Sequence, residues 1–513
     1  MFGHVFSACM YGIDGVMVKV EVDISRGIPQ IHLVGLPDAA VRESTERVRA
    51  AIRNSGFQFP MDRITINLSP ADLRKEGSSF DLAIAAALLV TSGQLELEHA
   101  DSTLLIGELA LNGEVRALPG VLPMVHQAKL MGYPYVIVPE ANAEEALLIE
   151  GIQVFAVTRL TDLKDISRCI VYRRAAAAPS SGSTMPGQNN SEYGNVDFAD
   201  VIGQHHAKRA LVIAAAGMHN ILLIGPPGTG KTMLARRWPT ILPPLRDEEA
   251  LEVTKIYSAS GQLKKAQLIS ERPFRSPHHT ISAAGLVGGG AIPRPGEVSL
   301  AHRGVLFLDE LPEFSRAALE VLRQPLEDGE VTISRAKAVY TFPSDVVLAA
   351  AMNPCPCGMY GAETLESPCT CSAAKRAQYR ARISAPLLDR IDLHVDVPRI
   401  GSERQLPQAA LSSAEMKEQV LQAQQQQKKR YAGTAISWNS QLSGRLLRRY
   451  CPLDEASEQL LKQSMHVLQL SYRAHDRIVK LARTIADLDG AATITVNHLA
   501  EALQYRSLDR KPE

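Results

Sequence analysis

The sequence predicts an α/β multidomain protein with an α+β N-terminal domain, a P-loop α/β core and a helical C-terminal segment. Three observations carry this expectation. The chain has 513 residues, too many for one hydrophobic core. Its middle alternates short β-rich runs (221–224, 305–308, 346–351) with helical stretches, the pattern of a parallel sheet covered by helices. The tract "RRAAAAPSSGSTMPGQNNSEYGN" (173–195) is rich in Ala, Ser, Gly, Pro and Asn, lacks apolar periodicity, and reads as a flexible linker.

These features divide the chain into an N-terminal domain (1–172), the linker (173–195), an α/β core (196–400) and a helical region (401–513). In the first, "DAAVRESTERVRAAIRNSG" predicts an amphipathic helix with Val41, Val48 and Ile52 on its apolar face. Glu43 and Arg47 are spaced for an i,i+4 pair, and Gly56 is placed to stop the helix. In the last, "SSAEMKEQVLQAQQQQKKRY" is helical in pattern, and its glutamine run is expected on a solvated face.

Apolar residues make up 45% and charged residues 21%, an ordinary globular composition. Basic and acidic residues balance at 55 each, so no overall positive field draws nucleic acid; local basic loops converging in a ring still could. The N-terminus lacks a basic region before a long apolar core, so no secretory signal is expected. No apolar run approaches the ~20 residues that span a bilayer. Seven cysteines, three of them scattered, argue against a disulfide framework. A soluble cytoplasmic protein with no membrane partner is the expectation.

"NILLIGPPGTGKTMLARRW" sets an apolar strand directly before G-x-x-x-x-G-K-T and a helix-forming run after it, the context a Walker A motif requires. Gly225, Pro226, Pro227, Gly228, Thr229 and Gly230 would wrap backbone N–H groups around phosphate oxygens of ATP. Lys231 would reach the β- and γ-phosphates, and Thr232 would ligand Mg²⁺. A second strand, "GVLFLDE", ends in Asp309, a candidate Mg²⁺ holder, and Glu310, a candidate base for the attacking water. A third, "DVVLAAAMN", ends at Asn353, which either senses the γ-phosphate and positions water or simply forms a turn before Pro354.

These strands, with "SAPLLDRIDLHVDV" after them, resemble the AAA+ ATPases of the magnesium-chelatase and MCM branch. "FRSPHHTISAAGLVGGGAIPRPGEVSLAHRGVLFLDELPEF" narrows the resemblance to magnesium-chelatase-like competence proteins of the ComM/YifB type, over nearly the whole chain. The resemblance implies an AAA+ P-loop core with a helical lid, working as a homo-oligomeric ring, usually a hexamer. It implies that Arg390 is an arginine finger completing a neighbour's site, against the alternative of a salt bridge to Asp389 or Asp392. It implies that Arg473 is the sensor-2 arginine, with Arg477 and Arg483 as neighbouring alternatives on the same helix.

The hairpin around 331–342 would carry Arg335 and Lys337 at its tip, either contacting a DNA backbone in the channel or forming a solvated turn. His278 and His279 are expected on an extended segment, pointing to opposite sides and therefore not joint metal ligands. The implied activity is an ATP-driven DNA helicase or branch-migration motor acting in recombination during natural transformation. The rival reading is a chelatase-type motor that remodels a protein partner.

The N-terminal domain resembles the proteolytic domain of Lon, a Ser-Lys hydrolase with a ribosomal S5 domain 2-like fold, through "KEGSSFDLAIAAALLVTSG" and "LLIGELALNGEVRALPGVLPMVHQAKLMG". Ser79 falls at the nucleophile position, but Leu122 stands where the family places its lysine; Lys75 lies nearby, outside the matching position. A Lon-like fold without the peptidase chemistry is expected. Finally, Cys355, Cys357, Cys369 and Cys371 form C-x-C-x11-C-x-C, which either closes a structural zinc site or leaves four reduced thiols packed in a loop.

Overall fold

Continuous apolar runs cannot face water on either side, so they form strands buried between two helical layers. In the computed structural model, which describes residues 1–171, 196–290, 293–335, 338–363, 368–399, 411–506 and 508, such runs build the centre of the second of two compact units. One unit comprises 1–186 with 250–269; the other comprises 187–249 with 270–513. Residues 250–269, expected within the 196–400 core, thus belong with the N-terminal unit. There Ser258 Oγ donates to Glu145 at 2.5 Å, and the Gly120 N–H donates to the Ser258 carbonyl at 3.0 Å. The linker expected at 173–195 lies outside the described residues.

The second unit is organised by a five-stranded parallel sheet in the order Phe274–Arg275, Val305–Leu308, Val347–Met352, Ile221–Ile224, Leu393–Asp396. Alternate residues of each central strand enter different cores. Ile221, Leu223, Val305, Phe307 and Ala349 face one layer, while Leu222, Ile224, Leu306, Leu308 and Ala350 face the other. The first layer also takes in the helices Ser413–Arg430, Tyr472–Leu488 and Val496–Gln504 through Met416, Val420, Ile478, Ile485 and Leu499. The helical region therefore shares a core with one face of the sheet.

That packing corrects the expectation for part of the glutamine run: Gln425 and Gln426 are exposed, while Gln424 and Gln427 are buried. The helix starts at a capping box in which Ser412 and Glu415 satisfy each other's backbone N–H groups. Its 3.6-residue period then carries Gln427 onto the Met416–Val420–Ala423 face. Gln427 is fully buried; its amide donates to the Ala216 carbonyl at 2.8 Å and accepts from the Asn439 N–H at 2.8 Å. A buried amide is tolerable because both ends are satisfied.

The N-terminal unit has an eight-stranded mixed sheet. Its long hairpin, Phe2–Tyr11 with Asp14–Ser25, is flanked by Arg63–Ser69 and Gln30–Val34 on one side and by four further strands on the other. The expected helix spans Ala39–Asn54, capped by Asp38, with Val41, Val48 and Ile52 buried. Its Arg47, however, forms its ion pair with Asp81 (2.8 and 3.0 Å), not with Glu43. Asp81 opens the buried helix Asp81–Thr91 and is itself fully buried, so its charge requires a partner more than an exposed glutamate does. Burial still pushes its carboxyl up to about 6 despite the pull of Arg47. Among the described residues, no helix is long and apolar enough to cross a membrane.

Candidate nucleotide site

The strand order places the Asn353 strand between the phosphate-loop strand and the Asp309 strand. Because all are parallel, their C-terminal ends open at one edge, where ligands of such sheets bind. Ile224 is level with Met352, and Leu308 is level with Ala350. The residues that follow these strands therefore meet.

The loop 225–230 leads into the helix Lys231–Arg237. Gly230 sits at φ +88, a conformation that lets the chain turn sharply into that helix. A Cβ at Gly225 would lie 2.2 Å from the Val397 carbonyl oxygen, so only glycine fits that crossing. Cβ atoms at Gly228 or Gly230 would meet nothing within 4 Å, so these two positions are glycine for their positive φ (+78 and +88) and not for lack of space. A set of backbone amides around an open concavity suits phosphate oxygens.

Lys231 is buried, and its Nζ donates to the carbonyls of Gly225 (2.7 Å) and Pro226 (2.8 Å) and to Asn353 Oδ1 (3.2 Å). Burial pulls its pKa below the usual lysine range, opposed by the charges of Asp309 and Glu310. Thr232 Oγ1 donates to Asp309 Oδ2 at 2.7 Å. A hydroxyl and a carboxylate side by side beneath a phosphate loop are a hard-oxygen pair suited to Mg²⁺. The adjacent residues Lys231 and Thr232 thus each reach a partner distant in sequence, Asn353 and Asp309 respectively, and join the ends of three strands.

Glu310 adopts φ +52, an uncommon backbone state for a non-glycine residue. Its carboxylate is half exposed and lies 3.3 Å from His279 Nδ1. The histidines do not point apart as an extended segment would require. Their rings lie 4.2 Å between centroids, because the Ile281 N–H closes a turn onto the His278 carbonyl. Sequence reasoning missed His279 because only folding brings it to Glu310. It also missed Gln204, whose amide donates to the carbonyls of Pro398 (2.8 Å) and Thr229 (3.4 Å) and so braces the phosphate loop. The αL backbone of Gln204 marks it, yet no spacing rule announces it.

Arg390 is mostly buried. It pairs with Glu327 and donates to the Pro386 carbonyl at 2.7 Å; its ion-pair partner is neither Asp389 nor Asp392. Burial and the neighbouring Arg323, Arg473 and Arg477 lower its pKa. Arg473 is largely exposed at the start of its helix, 3.8 Å from Asp389. Arg477 faces Asp392 at 3.5 Å. Arg483 is fully buried with its donors spent on Asp487 and the carbonyls of Ala491 and Ala492, which makes it a brace within the helical region.

The expected hairpin is formed by Glu330–Arg335 and Ala338–Pro343. Arg335 is exposed at its end and donates to the Gly290 carbonyl at 3.1 Å. Lys337 lies outside the described residues. The four cysteines 355, 357, 369 and 371 converge, their sulfurs within 4.8 Å of one another.

In the N-terminal unit no comparable cluster forms around Ser79. Its Oγ is buried and donates to the Ala8 carbonyl at 3.0 Å, while Leu122 is fully buried. The Lys75 ammonium, also buried, is held by the carbonyls of Pro70 and Leu73.

The parallel sheet with a phosphate loop, a Thr–Asp pair and a polar strand tip defines a P-loop nucleotide-site protein. Comparison with known proteins narrows this. The family "Magnesium chelatase, subunit ChlI" matches residues 197–405, "Subunit ChlI of Mg-chelatase" matches 20–142, and "Magnesium chelatase, subunit ChlI C-terminal" matches 410–506. The chain is 43% identical to competence protein ComM of Haemophilus influenzae over 99% of its own length and 97% of that protein. It is 43% identical to YifB of Escherichia coli over 97% and 96%. It also shares 26% identity with Lon protease 2 of Bacillus subtilis across 32% of each chain. The chain belongs to the magnesium-chelatase-like ComM/YifB family.

Proposed function

We propose that this protein is an ATP-hydrolysing AAA+ ring motor that acts on DNA, as a helicase or branch-migration factor in recombination during natural transformation. The observation that carries the reading is the cluster of Lys231, Thr232, Asp309, Glu310 and Asn353 at the ends of three adjacent parallel strands. Phosphates would take the amides of Gly225–Gly230 and the Lys231 ammonium. Mg²⁺ would take Thr232 and Asp309 and neutralise developing phosphate charge. Glu310 orients the attacking water and accepts its proton; Asn353 fixes the geometry of Lys231 and the water.

Arg390 is the finger offered to the next subunit, and it must leave Glu327 to act. Of the three arginines on its helix, Arg473 has the most exposed side chain, so it fits sensor 2 better than buried Arg483. Arg335 and Lys337 grip a nucleic-acid backbone without reading sequence. The N-terminal unit supplies a Lon-like scaffold. The commitment of Ser79 and Lys75 to backbone carbonyls, with Leu122 at the family's lysine position, argues against peptidase use.

The test is strand displacement and branch migration by wild type beside Lys231→Ala and Glu310→Gln. Activity in wild type and none in the variants is expected. DNA-independent ATPase in wild type, with Arg335→Ala/Lys337→Ala leaving DNA binding untouched, would return the chelatase-type partner-remodelling reading to the front.

A further inference from the structure

The loop between Asn353 and the helix Ala373–Arg380 carries four cysteines that the ATP reading leaves unused. All seven cysteines of the chain are free thiols. Cys355 Sγ lies 3.3 Å from Cys357 Sγ and 3.8 Å from Cys369 Sγ, and Cys357 Sγ lies 3.6 Å from Cys369 Sγ. With Cys371 included, every separation stays within 4.8 Å. Zinc–sulfur bonds of about 2.3 Å place four sulfurs on a tetrahedron with edges of about 3.8 Å. The observed spacing is that of one ion's coordination sphere, whereas a multinuclear iron–sulfur cluster holds its cysteines farther apart.

Backbone amides lie against three of the four sulfurs. The amides of Met359 and Thr370 donate to Cys357 Sγ, that of Cys371 to Cys369 Sγ, and that of Cys357 to Cys371 Sγ. Such outer bonds orient soft ligands and offset their charge. Cys355 and Cys371 are buried, so the centre of the cluster is screened from water. The first C-x-C pair sits on a turn closed by the Gly358 N–H donating to the Cys355 carbonyl at 2.9 Å.

The same turn touches the nucleotide loop. Gly358 has φ +80, and a Cβ there would lie 2.5 Å from Pro227 Cδ. Cys355 follows Asn353 by two residues, and the Asn353 N–H bonds Tyr379 on the helix after the last cysteine. The loop therefore joins the Asn353 strand tip, the face of Pro227 and the next helix.

We propose that Cys355, Cys357, Cys369 and Cys371 bind a single zinc ion as a tetrathiolate, and that this ion holds the 355–371 loop against Pro227 and Asn353 of the nucleotide site. The metal is a brace, with no open position for a substrate. Each thiol gives up its proton on binding, so zinc affinity falls as pH is lowered.

The experiment uses the full chain. Elemental analysis of protein purified without chelator is expected to find one zinc per chain, lost in Cys369→Ser/Cys371→Ser. Exchange of wild type with Co²⁺ is expected to give the intense sulfur-to-cobalt charge-transfer band and visible bands of a tetrahedral thiolate site. This measurement stands even if the double variant fails to fold. Absence of zinc and of Co²⁺ binding, a six-coordinate cobalt spectrum, a spectrum that survives the cysteine changes, or native iron at the site would each overturn the assignment. The brace itself, which rests on the ATP reading, predicts about tenfold weaker binding of an ATP analogue after zinc is stripped. Unchanged affinity would remove the brace while leaving the metal count standing, so the two failures are distinguishable.

Discussion

Two regions of this chain carry the outline of an active centre in their sequence, and folding brings the candidate side chains together in only one of them. In the second unit, five residues that follow three strands converge, with Lys231 hydrogen-bonded to Asn353 and Thr232 to Asp309. In the N-terminal unit the Ser79 and Lys75 side chains are as deeply buried and bonded to backbone carbonyls, whereas Lys231 adds the Asn353 side chain to the carbonyls of Gly225 and Pro226. The contrast teaches that a motif residue counts by what its polar atoms are free to do. Both ammonium groups are held by carbonyls of their own loops, but that of Lys231 also reaches a side chain from the adjacent strand's end, Asn353.

The sharpest test of the contrast is Arg390→Ala. If a neighbour's finger completes the site, ATP turnover should fall by ~10³–10⁵-fold. Mixing this variant with Glu310→Gln chains should restore part of the turnover, measured by phosphate release, because some interfaces would then pair an intact finger with an intact Glu310. Failure of the mixture to recover would place Arg390 in its own subunit's structure, as its pair with Glu327 would have it.

Glu310→Gln should lower turnover by ~10²–10⁴-fold while a fluorescent ATP analogue still binds, the signature of a lost proton acceptor. Equal loss of binding would instead mark Glu310 as structural. In the N-terminal unit the strongest expected effect is on stability. Asp81→Ala leaves the Arg47 guanidinium and the Leu109 N–H without their acceptor, and should cost about 3–5 kcal/mol in chemical denaturation of that unit. The smallest effect belongs to Ser79→Ala, which removes one buried hydrogen bond. It should cost about 1 kcal/mol and leave ATP turnover unchanged. Loss of a casein-cleaving activity in that variant would invert the comparison between the two regions.

Much of the nucleotide site was legible because its signals are local. A glycine loop between an apolar strand and a helix reports its own geometry, and a run such as "VLFL" before Asp309 announces a buried parallel strand. Other features were not legible, since they depend on distant partners. Arg47 is spaced correctly for Glu43, but Asp81 lies buried within reach and competes successfully. The glutamines looked solvent-facing by composition until helix phase carried Gln427 inward. His278 and His279 follow a turn that no residue in "RSPHHT" dictates, and the turn sets His279 beside Glu310.

The sequence by itself determined the parallel sheet, the phosphate loop and the identity of the residues that end each strand, because apolar runs and glycine spacing act over a few residues. Only the tertiary structure decided which of those residues meet. Strand order set the Asn353 strand between the phosphate-loop and Asp309 strands, while tertiary packing put Arg390 on Glu327, enclosed Ser79, and gathered four cysteine sulfurs within 4.8 Å of one another in a loop that meets Pro227. The physical reason is that hydrogen bonds, ion pairs and metal coordination act over a few ångströms of space, and chain order does not specify those distances.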